Sequence, residues 1–525
     1  MHTIIYGLIA AAIASPTGAD VPTGRRTDEP PRINAPAAVG GGAKRPFLYR
    51  VPVTGTRPMR FSAQGLPSGL RLDGGTGVIS GKAPGRSASR VAITATNAFG
   101  SATKDLRVVI GEQLLLTPAM GWSSWNTLQV NVTDKAIREQ ADALVALGLA
   151  DHGYSFVNVD DGWTEPVAVG GGRARNPDGS IRVSKRFPDM KGLADYIHSA
   201  GLKFGLYSSP GPRTCAGFEG SLGHEAQDAK RMADWGIDFL KYDWCSYKPK
   251  DASLAEMQKP YRQMATQLAA LDRDIVFSLC QYGMGNVRTW GRRVGGQQWR
   301  IAGDLAWGPK GIYSSWDNIV ALVNGWSGKG QAGPGGWSDP DHLLVGRLAY
   351  IPRGQVWPNV TIDRVMPPPL TPDQQFFQFS LWSLLSAPLI IGGDLTTMDE
   401  FSLSILTNDE VIDVDQDALG IPAERVSISG PISIWRKYLA TDEKAVGIFN
   451  TSDTELSATV RWSDIGIVGR HKVRDLWRHA DIGASDREVK VLVPALGTRL
   501  LKLRSDPAPG DGAARYGSHE PLATE

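Results

Sequence analysis

The chain of 525 residues has only three cysteines, which cannot all pair with one another. Cys215 and Cys245 each follow a segment with the pattern of a strand, whereas Cys280 ends the apolar run 275–279. This arrangement predicts a disulfide between Cys215 and Cys245 and a buried, free Cys280. On the chain-entropy account, a bridge closing a loop of this size contributes about 3 to 4 kcal/mol. The alternative is three reduced thiols in a cytoplasmic protein.

An excess of charge of one sign is also missing, because 56 Lys and Arg face 54 Asp and Glu, for a net charge of +2. There is no basic stripe, so we do not expect nucleic acid as a partner. After the amino terminus, no apolar run is long enough to span a bilayer. Residues 1–19 have the apolar run and the following small residues of a secretory signal peptide, although the charged n-region is missing. We therefore expect a secreted or periplasmic protein without a membrane span.

The sequence is long enough for two or three domains, and its pattern changes several times. Residues 20–43 are rich in Pro, Gly, Arg and Ala and predict a linker. Residues 44–111 contain short β-like runs between turn signals, which predict a small β-sandwich. Within it, 65–70 followed by 77–81 resembles the Ig-like modules of secreted bacterial proteins. The tail 505–525, rich in Pro, Gly and Ala, is predicted to be disordered.

From 115 to 415 the pattern alternates between strand and helix. A helix is predicted over 134–147, and a capping box predicts another that begins at Thr371. Strands are predicted near 119–122 and over 154–159, 203–207, 237–242, 275–279, 299–303 and 388–392. Together these elements predict a (β/α)₈ TIM barrel as the catalytic domain. Residues 420–504 alternate with a period of two, so a C-terminal antiparallel β-sandwich should follow.

Carboxylates stand where three of the predicted strands end. The cases are Asp243 after 237–242, the pair Asp160 and Asp161 after 154–159, and Asp304 after 298–303. A parallel barrel gathers the loops at its carboxyl end around one pocket, so these side chains should converge there. The alternative for each is an Asp that only turns the chain.

Several blocks of the chain between about 116 and 503 resemble glycoside hydrolase family 27, the α-galactosidase family. The blocks are Thr117–Asn126, Asp160–Trp163, Thr214–Gly217, Lys241–Cys245, Trp299–Arg300 with Gly303–Asp304, Gly335–Asp341 and Leu406–Val411. They occur in the family's order. The resemblance implies a hydrolase that acts on sugars and needs no metal or organic cofactor.

The resemblance also implies residue roles. Asp243 would attack the anomeric carbon as the nucleophile, and Asp304 would be the acid/base that protonates the departing oxygen. Such a retaining mechanism places the two carboxyl groups about 5 to 5.5 Å apart. The substrate-binding residues would be Asp160, Asp161 and Lys241 at ring hydroxyls, Gln281 at the 2-position, Arg300 and Asp341 near the anomeric side, and Trp125 and Tyr207 as an apolar wall.

Plainer readings exist for some of these residues. Trp125 could be ordinary core packing, Asp160 and Asp161 a structural turn pair, and Lys241 a charge partner of Asp243. The chain also departs from the family at two positions. Gln281 stands where typical α-galactosidases have Glu, and Gly162 stands in place of a frequent Cys.

The sequence thus predicts a retaining exo-glycosidase that releases terminal α-D-galactosyl residues from oligosaccharides or polysaccharides. The same fold and mechanism could instead act on β-L-arabinopyranosides, α-N-acetylgalactosaminides or isomaltose units. A different class of function is a non-catalytic carbohydrate-binding protein. The presence of both Asp243 and Asp304 argues against that class, because a binding protein requires neither a nucleophile nor an acid.

Overall fold

The computed structural model describes residues 28–167, 173–306, 315–325, 332–350, 358–362 and 364–506. The predicted signal peptide, the first part of the predicted linker and most of the predicted tail lie outside these ranges. None of the helices in the described ranges is long and apolar enough to cross a bilayer.

The first domain is a small β-sandwich, as predicted. Its strands are β1 (Arg32–Ile33), β2 (Ala38–Gly42), β3 (Pro46–Arg50), β4 (Val53–Thr54), β5 (Arg60–Gln64), β6 (Leu70–Leu72), β7 (Val78–Lys82), β8 (Ser87–Asn97) and β9 (Gly100–Gly111). A four-stranded sheet in the order β2-β9-β8-β5 lies across from a three-stranded sheet in the order β3-β7-β6. Apolar side chains from both sheets, including Phe61, Ile79 and Ile93, form one core.

The predicted linker extends too far, because β1 and β2 both fall within 20–43. Strand β2 pairs with β9 in parallel from Ala38 to Gly42. A Cβ added at Gly40 would lie 2.2 Å from the carbonyl oxygen of Gln113. The glycines that resemble a linker in the sequence therefore permit a close approach of backbone to backbone.

The second domain is the predicted parallel barrel. Its strands are β10 (Met120–Ser123), β11 (Phe156–Asn158), β12 (Lys203–Ser208), β13 (Phe239–Asp243), β14 (Val276–Cys280), β15 (Gln298–Arg300) and β16 (Trp337–Asp339), and, after the hairpin β17 (Leu348–Ala349) and β18 (Val365–Met366), β19 (Leu389–Ile391). From β10 to β16 each barrel strand pairs in parallel with the next, and β10 also pairs with β19. A parallel bridge between Leu343 and Ile391 joins the two ends of the sheet. Strand β16 was not among the strands predicted from the sequence.

The helices are α1 (Trp125–Leu128), α2 (Asp134–Ala146), α3 (Met190–Ser199), α4 (Glu225–Trp235), α5 (Leu254–Ala269), α6 (Ser315–Gly325), α7 (Pro372–Leu385), α8 (Glu400–Leu406) and α9 (Asp409–Asp415). Short 3-10 helices lie at 129–131, 149–152, 284–289, 292–294 and 395–397. The predicted capping box of α7 is confirmed, since the Thr371 side chain accepts from the Gln374 backbone and the Gln374 side chain accepts from Thr371. Every residue of α7 from Gln374 to Leu385 is buried, because the helix packs between the barrel and the last domain.

The last domain is the predicted antiparallel sandwich. Its strands are β20 (Glu424–Ser429), β21 (Ile432–Tyr438), β22 (Lys444–Asn450), β23 (Leu456–Arg461), β24 (His471–Asp475), β25 (Ala480–Ser485), β26 (Glu488–Val493) and β27 (Thr498–Ser505). Lys437 anchors this domain to the barrel. Its buried ammonium group donates to the carbonyl oxygens of Ser383 and Val414 and to the Ser386 hydroxyl.

The Ig-like domain contacts the barrel at the turns that precede strands. Asp274, two residues before β14, accepts from the Gly42 backbone at 2.5 Å and from Arg45 at 3.1 Å. Arg57 reaches Asp151 at 2.7 Å, in the turn before β11. Since these turns lie at the amino ends of the strands, the first domain covers the end of the barrel opposite its carboxyl-end loops.

Candidate active site

The structure brings the predicted site residues to the carboxyl end of the barrel. Tyr207 lies near the end of β12, Lys241 lies within β13 and Asp243 ends it, and Arg300 ends β15. The loops after the strands carry the others within four residues of β11, β14, β15 and β16: Asp160, Asp161, Gln281, Asp304 and Asp341. Trp125 opens α1 directly after β10. The convergence expected from a parallel barrel is therefore present.

Asp243 is the more enclosed of the two predicted catalytic carboxylates, with 5% of its surface exposed. The Tyr207 hydroxyl donates to Oδ2 at 3.0 Å, and the Tyr282 hydroxyl donates to Oδ1 at 2.8 Å. Burial raises the pKa of Asp243, while the Lys241 charge and the Tyr282 hydrogen bond act to lower it. Each oxygen of this carboxylate therefore has a phenol donor that fixes its orientation.

Asp304 occupies a more open position, with 39% of its side chain exposed. Its Oδ1 lies 3.0 Å from one terminal nitrogen of Arg300, and the other terminal nitrogen lies 3.1 Å from Asp341 Oδ1. Arg300 is itself 2% exposed. One fixed guanidinium group thus positions both carboxylates, as its planar fork allows.

Asp341 is held from several sides. Its Oδ2 accepts from the Leu305 backbone at 2.6 Å, and its own backbone N–H donates to Asp339 at 2.8 Å. Asp341 adopts a positive φ of 95°. A strained backbone held by surrounding contacts is typical of functional sites. The bond to Leu305 also fixes the loop immediately after Asp304.

Lys241 and Asp160 form a buried ion pair, with Nζ 2.8 Å from Oδ2. Burial acts to lower the pKa of Lys241, but the attraction of Asp160 holds it well above its usual value. The partner of Lys241 in the structure is therefore Asp160, rather than Asp243 as in the plainer reading. The pair presents an ammonium group and a carboxylate oxygen at the end of the barrel, a combination that can both donate to and accept from sugar hydroxyls.

Asp161 lies beside this pair and is 2% exposed. It accepts from the backbone N–H groups of Ala216 and Gly162, both at 2.9 Å. Burial raises the pKa of Asp161 to about 7 despite these bonds. Gly162 has a φ of 104°, and an added Cβ would lie 3.0 Å from Val130 Cα, so glycine suits this turn better than cysteine.

Two further predicted site residues, Trp125 and Gln281, contact other parts of the protein and do not simply line the pocket. Trp125 is half-buried and packs against a small apolar cluster that includes Val130 and Phe218. Gln281 is 1% exposed, its Nε2 lies 3.4 Å from the Arg300 carbonyl oxygen, and its Oε1 has no partner among the described residues.

The predicted disulfide between Cys215 and Cys245 is confirmed, and Cys280 is free and buried, as predicted. Cys245 is two residues after Asp243, so the bridge ties the loop after β12 to the end of β13. In the described part of the chain, one group of His, Cys, Asp or Glu side chains has spacing suited to a metal, and it consists of these two cysteines and Asp243. Because the cysteines are bonded to each other, only Asp243 in that group offers an anionic ligand.

Comparison with known proteins assigns the chain to a family. A family model described as alpha galactosidase A matches residues 117–417, more than half of the chain. An α-galactosidase of Oryza sativa subsp. japonica is 37% identical over 70% of this chain and 80% of its own length. The chain belongs to the α-galactosidase family. It is therefore a glycoside hydrolase.

The other two domains also have counterparts. Models of the α-galactosidase C-terminal β-sandwich and of an Ig domain match residues 429–503 and 30–111. A Bacteroides fragilis NCTC 9343 structure named as an α-galactosidase candidate is 36% identical, with a TM-score of 0.82 over 92% of this chain and 99% of its own. α-Galactosidase I from Mortierella vinacea is 30% identical, with a TM-score of 0.65 over 75% of this chain and 98% of its own.

In this member of the α-galactosidase family, sequence reasoning missed three residues at the site. Tyr282 bonds Asp243, Asp339 bonds the Asp341 backbone, and His342 lines a polar cavity with Asp160 and Arg300. The sequence carries only a weak signal for these three residues, namely that each directly adjoins or lies within two residues of a predicted site residue. Burial lowers the pKa of His342 to about 3, so its imidazole is neutral at ordinary pH.

Proposed function

We propose that the protein is a retaining exo-α-galactosidase, with Asp243 as the nucleophile and Asp304 as the acid/base. The relatives named as α-galactosidases support the substrate class. The observation that carries the residue roles is the contrast between the two carboxylates: Asp243 is enclosed and held at both oxygens, while Asp304 is more open and tethered by Arg300.

The contrast fits double displacement. In the first step, an oxygen of Asp243 bonds to the anomeric carbon as the glycosidic C–O bond breaks, and Asp304 gives its proton to the departing oxygen. In the second step, Asp304 takes a proton from water as the water oxygen bonds to the anomeric carbon, and the bond to Asp243 breaks. Two inversions leave the product with the configuration of the substrate.

Sugar recognition would use the polar groups deeper in the site. Lys241 and Asp160 would bond adjacent hydroxyls, with Asp161 beside them. A site built from such paired donors and acceptors rejects sugars whose hydroxyls leave it unsatisfied. Trp125 and Tyr207 would flank the apolar side of the ring, and Gln281 and Asp341 would support the region near Arg300.

The test is hydrolysis of a panel of nitrophenyl glycosides by the wild type, Asp243→Asn and Asp304→Asn. The panel contains the α-galactoside, the β-L-arabinopyranoside, the α-N-acetylgalactosaminide and the α-glucoside. We expect cleavage of the α-galactoside, with release of the α-anomer first by NMR. Faster cleavage of another glycoside would change the substrate, and sugar binding without any cleavage would favour the binding-protein alternative.

Azide separates the two catalytic roles. With Asp243→Gly, azide can displace the aglycone directly, which would give the β-galactosyl azide. With Asp304→Ala and an activated substrate, azide replaces water in the second step and would give the α-galactosyl azide. Asp142→Ala, whose carboxylate lies on a surface helix and bonds Tyr196, is a control expected to give neither product. Exchange of the two products between the variants would reverse the assignment.

We also propose that the protein works outside the cytoplasm, in the medium or the periplasm. The apolar run within residues 1–19 and the Cys215–Cys245 disulfide support this compartment. Amino-terminal sequencing of the protein recovered from each cell fraction tests it. A full-length protein confined to the cytoplasm would contradict it.

A further inference from the structure

Tyr282 occupies a position beside the nucleophile that the proposed function does not use. Its hydroxyl donates to Asp243 Oδ1 at 2.8 Å, opposite the bond from Tyr207 to Oδ2 at 3.0 Å. Its ring lies 5.6 Å from the guanidinium carbon of Arg300, the residue that holds Asp304. Tyr282 therefore contacts the nucleophile directly and the acid/base through Arg300.

The backbone is bent to place Tyr282 there. Tyr282 has a φ of 63°, and Gly283 follows with a φ of 89°. A tyrosine rarely adopts this left-handed conformation, which costs free energy. A Cβ added at Gly283 would lie 2.6 Å from the Ile301 carbonyl oxygen, so the turn requires glycine there. A strained residue kept in contact with a reactive carboxylate indicates a functional constraint rather than simple packing.

The charged and titratable groups around Asp243 come from all neighbouring strands. They are Asp160 after β11, Tyr207 on β12, Lys241 on β13, Tyr261 on α5, Cys280 and Arg300 at the ends of β14 and β15, and Tyr282 and Asp304 in the loops that follow those strands. Burial, Asp304 and Asp160 raise the pKa of Asp243, and Lys241 and the Tyr282 hydrogen bond lower it. Loss of the Tyr282 hydroxyl therefore shifts the pKa of Asp243 upward.

We propose that Tyr282 is a positioning residue that orients Asp243 and stabilises its negative charge when the glycosyl-enzyme ester breaks. This inference rests on the proposed role of Asp243 as the nucleophile. It adds a contribution to the second step that Asp243 and Asp304 alone do not supply.

The chemistry of the second step gives the reason. Water oxygen bonds to the anomeric carbon, Asp304 takes the water proton, and the electron pair of the breaking C–O bond returns to Asp243. A phenol bonds a carboxylate more strongly than it bonds an ester oxygen. The Tyr282 hydrogen bond therefore strengthens as the ester breaks, and it lowers the barrier of this step.

The test compares Tyr282→Phe with Tyr154→Phe, using 2,4-dinitrophenyl α-galactoside. Tyr282→Phe keeps the ring beside Arg300 and removes only the hydroxyl. Tyr154 is a matched control, because its hydroxyl is buried with no partner among the described residues and it lies at the opposite end of the barrel. With this good leaving group the second step limits the rate, so its slowing is visible in kcat.

We expect kcat of Tyr282→Phe to fall about tenfold to hundredfold, as for a lost hydrogen bond to a charged group. KM should fall with it, because slower breakdown of the glycosyl-enzyme leaves more of the enzyme in that form, and the burst of dinitrophenol that both enzymes should show is followed in the variant by a slower steady rate. The acid limb of kcat/KM should move to higher pH. Tyr154→Phe should match the wild type in all of these measurements.

A fall in kcat without the fall in KM and without the shift of the acid limb would give Tyr282 a packing role and overturn the proposal. Unchanged kinetics would also overturn it. If Tyr282→Phe unfolds below the assay temperature, Tyr282→Leu is assayed for the same fall in KM and the same shift of the acid limb. Asp243→Asn separates the two hypotheses: if that variant keeps full activity the nucleophile assignment fails, whereas if it is inactive and Tyr282→Phe is unchanged only this proposal fails.

Discussion

Replacement of Lys241 by methionine tests how the buried ion pair at the site contributes to stability. Lys241 Nζ lies 2.8 Å from Asp160 Oδ2, and the two side chains are 17% and 4% exposed. Methionine retains most of the length of the lysine stem but removes the charge. Asp160 would then keep a buried carboxylate without its cation, which is the costly half of breaking a buried pair.

The magnitude follows from this burial. Removal of one partner from a buried pair costs about 3 to 5 kcal/mol, and the partial exposure of Lys241 places the cost near about 3 kcal/mol. A barrel of about 300 residues unfolds with about 2.1 cal/mol/K per residue, or about 630 cal/mol/K in all. The expected fall in Tm is therefore about 5 °C. Since the folded-state pKa of Lys241 is raised, the stabilisation is complete at pH 7 and is lost only as pH rises through that raised value.

The assay is thermal unfolding at pH 7 of the single variant, of Asp160→Asn/Lys241→Met and of Lys230→Met. The double variant leaves no unpaired charge, so it should recover much of the lost Tm. Lys230 is a matched control that pairs with Asp234 at 2.8 Å on the surface, with both side chains more than half exposed. Its substitution should change Tm by less than about 1 °C. Equal shifts for Lys241→Met and Lys230→Met, or a double variant less stable than Lys241→Met, would refute the reasoning.

Three further outcomes are expected. Removal of the disulfide in Cys215→Ala/Cys245→Ala, which opens a loop of sequence separation 30, should cost about 3 to 4 kcal/mol, and urea unfolding that matches the wild type would contradict this. Because the folded-state pKa of Asp161 is about 7, its contribution to stability is complete below about pH 4 and is lost as pH rises through 7. Asp161→Asn should therefore make Tm less dependent on pH between pH 4 and pH 7. Plots of Tm against pH that run parallel for the variant and the wild type would contradict this. Asp274→Ala removes the bonds to Gly42 and Arg45, so limited proteolysis between 111 and 117 should become faster while kcat stays unchanged.

The sequence predicted the barrel well where strands carry continuous apolar runs. Strand β13 was expected over 237–242 and is found at Phe239–Asp243. Strand β16 was missed because Trp337–Asp339 has three residues, no β-branched side chain, and Gly and Pro on its flanks. The sequence predicts linker where the short edge strand β2, with three glycines, is found, because the pairing of β2 with β9 depends on residues about 70 positions away.

The site was predictable as a set of residues but not as a set of contacts. The positions at strand ends and the family resemblance placed Asp243, Asp304 and Arg300 at one end of the barrel. The bonds of Tyr282 to Asp243 and of Arg300 to Asp341 join different strands, and nothing local in the sequence specifies them. The left-handed turn at Tyr282 is equally hidden, because tyrosine gives no sign of a positive φ.

The Ig-like domain contacts the turns before the barrel strands, and this contact determines how the barrel is oriented relative to anything that the Ig-like domain binds. Arg57 and Asp274 fix that domain to one end of the barrel, and the catalytic loops occupy the other. A cell wall, a polymer or a solid support attached through the first domain would therefore have the barrel between itself and the sugar pocket. The pocket would open away from the attachment, toward freely diffusing chains and loose ends.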